Sequence, residues 1–219
     1  MTVTTTLPTA PQKPLLRGVS HQIAFFVALV ASVALVLRMS AGRAQAAATV
    51  FGVGLVTLFG TSALYHRVDW SPLGRQRMRR ADHSAIFVLI AAGYTPLFTV
   101  LPSTGGGHGA LAVVWAGAAV GVLKSLAWPR APKWVTAALG VGLGWLVVGE
   151  VIDRASRVAA PGMTFLVASG ITYSLGAVVY AAKRPDPFPR VFGYHEVFHA
   201  MVVLASALLY VHVALLLAQ

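Results

Sequence analysis

The chain contains no cysteine, which excludes a disulfide framework, a thiolate zinc site and a CxxC redox motif. Charge is scarce as well. Only 11% of the 219 residues are Asp, Glu, Lys or Arg, against roughly 25% in soluble domains. Acidic residues are the rarest, six against 17 Lys and Arg, giving a formal net charge of +11. What fills the chain is apolar: 57% of residues are hydrophobic and the mean hydropathy is +0.75. Lipid, not water, is the solvent that suits such a composition. A net charge this high in a soluble protein would raise nucleic-acid binding. Here the basic residues fall between apolar runs, where they set topology and meet anionic headgroups. Nucleic acid is not an expected partner.

A bilayer core is crossed by about 20 apolar residues in helical form, and helices satisfy their own backbone groups in lipid. Seven stretches qualify: Gly18–Leu37, Ala44–Tyr65, Ser84–Leu101, Gly109–Trp128, Trp134–Ile152, Met163–Ala182 and Val197–Ala218. Lys124 and Glu150 lie near the ends of their runs, where long side chains snorkel to the interface. Breaks carry turn residues, as in Leu101-Pro102-Ser103-Thr104, Trp128-Pro129-Arg130, Ala160-Pro161-Gly162 and Arg184-Pro185-Asp186-Pro187. The first apolar run is followed at once by others, so it reads as a span and not a signal peptide. The expected fold is all-α: a single seven-transmembrane-helix bundle over residues 18–219, preceded by a disordered tail over residues 1–17. Pro96 and the glycines Gly140, Gly142 and Gly144 are expected to reflect bending or close packing.

Lys and Arg divide unevenly between the two sides. The N-terminal tail and the second, fourth and sixth loops hold 13 of them, and the opposite side holds Arg38, Arg43, Arg154 and Arg157. The positive-inside rule then puts the N-terminus in the cytoplasm and the C-terminus outside.

Ionisable residues within spans are costly and mark functional sites. The second span ends in Thr61-Ser62-Ala63-Leu64-Tyr65-His66, the third is entered through Arg80-Ala81-Asp82-His83-Ser84, and the seventh through Tyr194-His195-Glu196-Val197-Phe198-His199. His195 and His199 are four apart and share a helix face, as do Ser62 and His66. The topology places His66, Asp82, His195 and His199 at the same membrane depth, although none of these residues entered the charge count. Three histidines with an open fourth position are the pattern of a catalytic zinc site. Zinc lowers the pKa of water at that position to about 7. Asp82 can orient that water or take its proton, and Ser62 can donate a hydrogen bond to a developing oxyanion.

Each residue also has a plain structural role open to it. The histidine pair can be interface packing, and His66 can be an interfacial residue beside Arg67. Asp82 can pair with its neighbouring arginines or favour a helix N-terminus. Ser62 can be a small packing residue. His21, His83, His108 and His212 read as structural or interfacial. The run His195–His199 also fits HExxH, the zinc-protease pattern with a glutamate base. That alternative leaves His66 and Asp82 without a role.

The run Ser62-Ala63-Leu64-Tyr65-His66, the pair of segments Asp82–Ile86 and Ala91–Pro96, and His195-Glu196-Val197-Phe198-His199 together resemble the hemolysin III family. Those proteins are bacterial relatives of the adiponectin and progestin receptors, in a wider group that includes the alkaline ceramidases. The resemblance extends from about Gly18 to Leu217. It implies zinc held by His66, His195 and His199, with Asp82 on the water, Ser62 beside it, and no catalytic role for Glu196. It further implies hydrolysis of a lipid acyl or amide bond, a role in membrane lipid homeostasis, and a multi-pass location in the bacterial plasma membrane. The implied partner is a membrane lipid, as substrate or ligand, with self-association as a homo-oligomer left open. Two other functions stay open beside the hydrolase: a lipid or fluidity sensor with a structural zinc, and a pore-forming hemolysin.

Overall fold

The computed structural model describes residues 13–101 and 109–219. Most of the expected tail, residues 1–12, and the break at residues 102–108 with His108 lie outside the described residues. The helices are α1 (Val19–Arg38), α2 (Arg43–Arg67), α3 (Pro72–Val100), α4 (Gly109–Ala127), α5 (Lys133–Trp145), α6 (Val148–Arg154), α7 (Ala160–Ala182) and α8 (Tyr194–Leu217). A single 3₁₀ turn, Ala155–Arg157, follows α6. The fifth span comprises α5, α6 and this turn, so among the described residues seven helical segments are long and apolar enough to cross a membrane. No strand forms among the described residues.

The α1 helix shows how the bundle sorts its side chains. His21, Ala24, Ala28, Ser32 and Leu35 are buried at helical spacing, while Phe26, Val27, Val30, Val33 and Leu37 on the other faces are exposed. The exposed faces carry mostly large apolar residues and the buried face mostly small ones, because lipid offers no hydrophobic penalty and close helix approach is what stabilises the bundle. A Cβ on Gly52 of α2 would lie 2.7 Å from the Ser32 Cβ, and one on Gly121 of α4 would lie 2.2 Å from the Phe87 ring. At those points the helices meet backbone to side chain. Neighbours pack in order from α1 to α4, α5 packs on α7, and α7 on α8. The α8 helix also touches α1, α2 and α3. Its buried stripe, Glu196, His199, Val202, Ala205, Ser206, Leu209, Val213 and Leu216, therefore faces the middle of the molecule.

Two boundaries differ from the hydropathy pattern. The α3 helix begins at Pro72, three turns before the expected Ser84. Ser71 accepts a hydrogen bond from the Gly74 N–H at 3.2 Å and Pro72 occupies the first turn, a strong start signal. Arg75, Arg77, Arg79 and Arg80 are thus helical, on an extension leading into the span, and not in a loop. The fifth span is broken between Trp145 and Val148. The Leu146 N–H turns back to the Leu143 carbonyl at 3.3 Å, and the Tyr94 hydroxyl donates to the Gly144 carbonyl. A Cβ on Gly142 or Gly144 would meet nothing within 4 Å, so these two glycines serve bending and not close packing.

Candidate metal centre

The last turn of α2 and the first two turns of α8 meet at one end of the bundle. His66 and His199 are buried and His195 is partly buried. The Nε2 atoms of His66 and His195 lie 3.2 Å apart. The His199 ring centroid is 4.9 Å from that of His66 and 4.4 Å from that of His195. One ring nitrogen from each residue falls within 4.8 Å of the other two. These residues fit a divalent metal. Zinc–imidazole bonds of 2.0–2.1 Å imply nitrogens about 3.4 Å apart around a tetrahedron, close to the His66–His195 separation. The Nδ1 atom of His199 has no hydrogen-bond partner, a costly arrangement for a buried polar group. Three neutral imidazoles are also the donor set that zinc prefers.

A second layer comes from α1, α2 and α3. Ser62, one turn before His66, is buried, and its hydroxyl lies 2.8 Å from His21 Nδ1. The same hydroxyl is within hydrogen-bonding reach of the partly buried Asp82 carboxylate. Ser62 therefore joins His21 on one side to Asp82 on the other. His21 in turn stacks flat on His199, centroids 3.8 Å apart and 12° from parallel. His21 is thus a fourth histidine of this cluster, where the sequence alone suggested a structural or interfacial residue. The available signal was its place on the small-residue stripe of α1, three residues before Ala24, which turns it inward with Ala28 and Ser32.

Glu196 is engaged elsewhere. One carboxylate oxygen accepts the Gly193 N–H at 2.9 Å, closing the first turn of α8, and the other pairs with Arg17. Its oxygens are used for structure, so it is not placed as a protease base. The segment before α1 is held in the same way. The N–H groups of Leu15 and Leu16 donate to the carbonyls of Arg190 and Val191 at 3.0 and 3.1 Å. Gly18, at φ 80°, passes so close to the centre that a Cβ there would lie 2.5 Å from the His66 Cβ. The remaining described histidines lie apart from the three-histidine group. His212 bonds the Gly162 carbonyl at 2.9 Å, and His83 is buried on α3.

Beside the histidines lies an apolar cavity of about 200 Å³ between α3, α5, α7 and α8. Tyr180, Phe198 and Thr136 line it at the histidine end, and Leu166, Val148 and Val151 at the other. Along α7 the stretch from Leu166 to Tyr180 corresponds to roughly 20 Å of helix. The Tyr180 and Phe198 rings are 5.9 and 5.8 Å from the His195 ring, so the cavity and the cluster adjoin.

Fold and site define a multi-pass helical membrane protein with a buried three-histidine cluster at one end of its bundle. Residues 9–210 match the family described as Haemolysin-III related. The chain is 28% identical over 196 residues to Hemolysin-3 of Bacillus cereus, covering 88% of this chain and 86% of that protein. It is 30% identical over 163 residues to the Hemolysin-3 homolog of Bacillus subtilis (strain 168), covering 74% and 73% of the two. The chain belongs to the hemolysin III family.

Proposed function

We propose that the protein is a zinc-dependent hydrolase that cleaves the acyl-ester or amide bond of a membrane lipid, acting in membrane lipid homeostasis in a bacterial plasma membrane. The observation that carries this reading is the juxtaposition of three converging imidazoles, the Ser62–Asp82 pair, and an apolar cavity about one acyl chain long. His66, His195 and His199 would hold the metal. Zinc there supplies Lewis acidity, polarising a carbonyl and bringing a water into its neutral-pH titration range.

The chain's own groups account for the rest. The cavity takes the acyl chain and excludes water from all but the reacting end. Asp82 accepts a proton from the attacking water. It returns that proton to the leaving nitrogen or oxygen as the C–N or C–O bond breaks, giving a fatty acid and an amine or alcohol. Ser62 donates to Asp82 or to the developing oxyanion, and His21, with its proton on Nδ1, holds the serine hydroxyl in line.

Metal content by mass spectrometry of the detergent-purified wild type, alongside His66→Ala and His199→Ala, tests the centre. About one zinc per wild-type chain, lost in both variants, is the expected result. Asp82→Asn is expected to keep the metal while losing turnover of ceramide and phospholipid substrates. Undiminished turnover in His199→Ala protein would overturn the proposal.

A further inference from the structure

Two lysines, Lys133 and Lys124, stand at the histidine end of the cavity without an ion-pair partner. Among the described residues, the ion pairs involve Arg17 with Glu196, Arg154 with Glu150 and Asp153, and Arg157 with Asp153. Lys124 and Lys133 have none, whereas Arg79 is close enough to Asp82 for their charges to interact. Lys133 bends back over the rings of Tyr180 and Tyr194, at 4.6 and 4.4 Å from their centroids, and donates to the Tyr194 hydroxyl. Lys124 donates to the buried Thr136 hydroxyl. Arg79 is near enough to act electrostatically on both lysines and on Tyr180.

A topology determinant alone would send these side chains out to lipid headgroups. Instead Lys133 and Lys124 bend onto Tyr180 and Thr136, two of the residues that line the cavity at its histidine end. Two ammonium groups without an ion-pair partner attract an anion placed beside them. The low polarity around them strengthens the attraction.

On the reading that the site hydrolyses an acyl lipid, the geometry points to an anionic substrate. Its acyl chain lies in the cavity, its ester or amide lies at the histidines, and its carboxylate or phosphate is held by Lys133 and Lys124. Neutral and cationic headgroups are disfavoured because they leave the two lysines unneutralised.

Binding of radiolabelled N-palmitoylglycine to the detergent-purified full-length protein tests this. The competitors are 1-palmitoyl lysophosphatidic acid and the uncharged N-palmitoylglycinamide. The amide is expected to compete at least about tenfold less well than the acid. The better of the carboxylate and phosphate competitors identifies the headgroup. Lys133→Gln combined with Lys124→Gln should erase the preference for charge while leaving affinity for the amide unchanged. Lys133→Arg should retain the preference. Should the double variant not purify as a folded protein, Lys124→Gln alone is expected to shrink the gap. Equal competition by acid and amide in the wild type, or an unchanged gap in the lysine variants, would overturn the assignment. The His199→Ala protein separates the two proposals. Retained discrimination there supports the lysine site whatever the metal content, whereas loss of discrimination with both lysines intact moves the anion to the histidine cluster and ends the assignment.

Discussion

His21 lies flat against His199, with ring centroids 3.8 Å apart and planes within 12°. Two residues from the first and last spans are thereby held at one depth, 178 positions apart in sequence. The stack fixes the orientation of the His199 ring, and the His21–Ser62 bond at 2.8 Å fixes His21. Groups that orient a ligand without touching the metal typically change metal affinity by 10–100-fold. Replacing His21 with Ala should therefore weaken zinc binding by about that factor without abolishing it. Competition with a graded series of chelators reads the change. Identical affinity in the variant would show that the stack contributes packing alone.

Glu196 gives the opposite pattern. Its carboxylate closes the first turn of α8 through the Gly193 N–H and pairs with Arg17, and the residue is 2% exposed. Converting it to Gln keeps the shape but removes a buried charge from a partner that is itself partly exposed. The expected cost is about 1–3 kcal/mol of stability, seen as a lower thermal midpoint. Zinc content and turnover per folded chain should stay near the wild-type level. A variant that is fully stable yet inactive would restore the protease-like role.

Arg154 anchors the other end of the bundle. It is fully buried, donates from Nε to the Leu101 carbonyl at 2.8 Å, and donates from Nη1 to the Glu150 carboxylate at 2.7 Å. Its guanidinium also lies 5.0 Å from the Phe98 ring centroid. Lysine cannot reproduce this forked geometry, so Arg154→Lys should lose most of what Arg154→Met loses, about 1–3 kcal/mol. Unfolding followed by tryptophan fluorescence measures both. Zinc affinity in the folded protein should not move, because the centre lies at the opposite end of α3 and α8.

Apolar run length placed the spans because lipid imposes one requirement on every residue of a helix, independent of its neighbours. Where another force takes over, the pattern falls silent. Four arginines hid the first three turns of α3 from hydropathy, although Ser71-Pro72 marked the start. The glycines Gly140, Gly142 and Gly144 signalled bending in the fifth span, but where the break falls involves a hydroxyl from Tyr94, 50 residues before Gly144, which no local pattern reports. At the site, the i,i+4 spacing of His195 and His199 was readable because a helix makes it geometry. That His66 reaches 3.2 Å from His195 depends on how α2 meets α8, which spacing does not encode. His21 was overlooked because a single histidine on a helix carries no partner in its own segment. Its partners, Ser62 and His199, are on other spans.

Gly18 offers a test of how the segment before α1 shapes the centre. It has φ 80°, and a Cβ there would sit 2.5 Å from the Cβ of His66, a separation that requires movement of His66 or of the chain carrying Arg17. Gly42 provides the control: its φ is 142°, yet a Cβ there would meet nothing within 4 Å. Alanine is strained at both positions, at Gly18 in a left-handed backbone and at Gly42 in a positive-φ extended backbone that is essentially restricted to glycine, on the order of 1–3 kcal/mol each. Only Gly18→Ala also displaces a histidine. Both variants should therefore lose stability, while Gly18→Ala alone loses zinc affinity, by tenfold or more if the imidazole moves by even about 0.5 Å. Parallel chelator titrations and melting curves separate the two effects. Equal zinc affinity in the two variants would mean that the close approach is relieved by the N-terminal segment and that His66 is held by α2 alone.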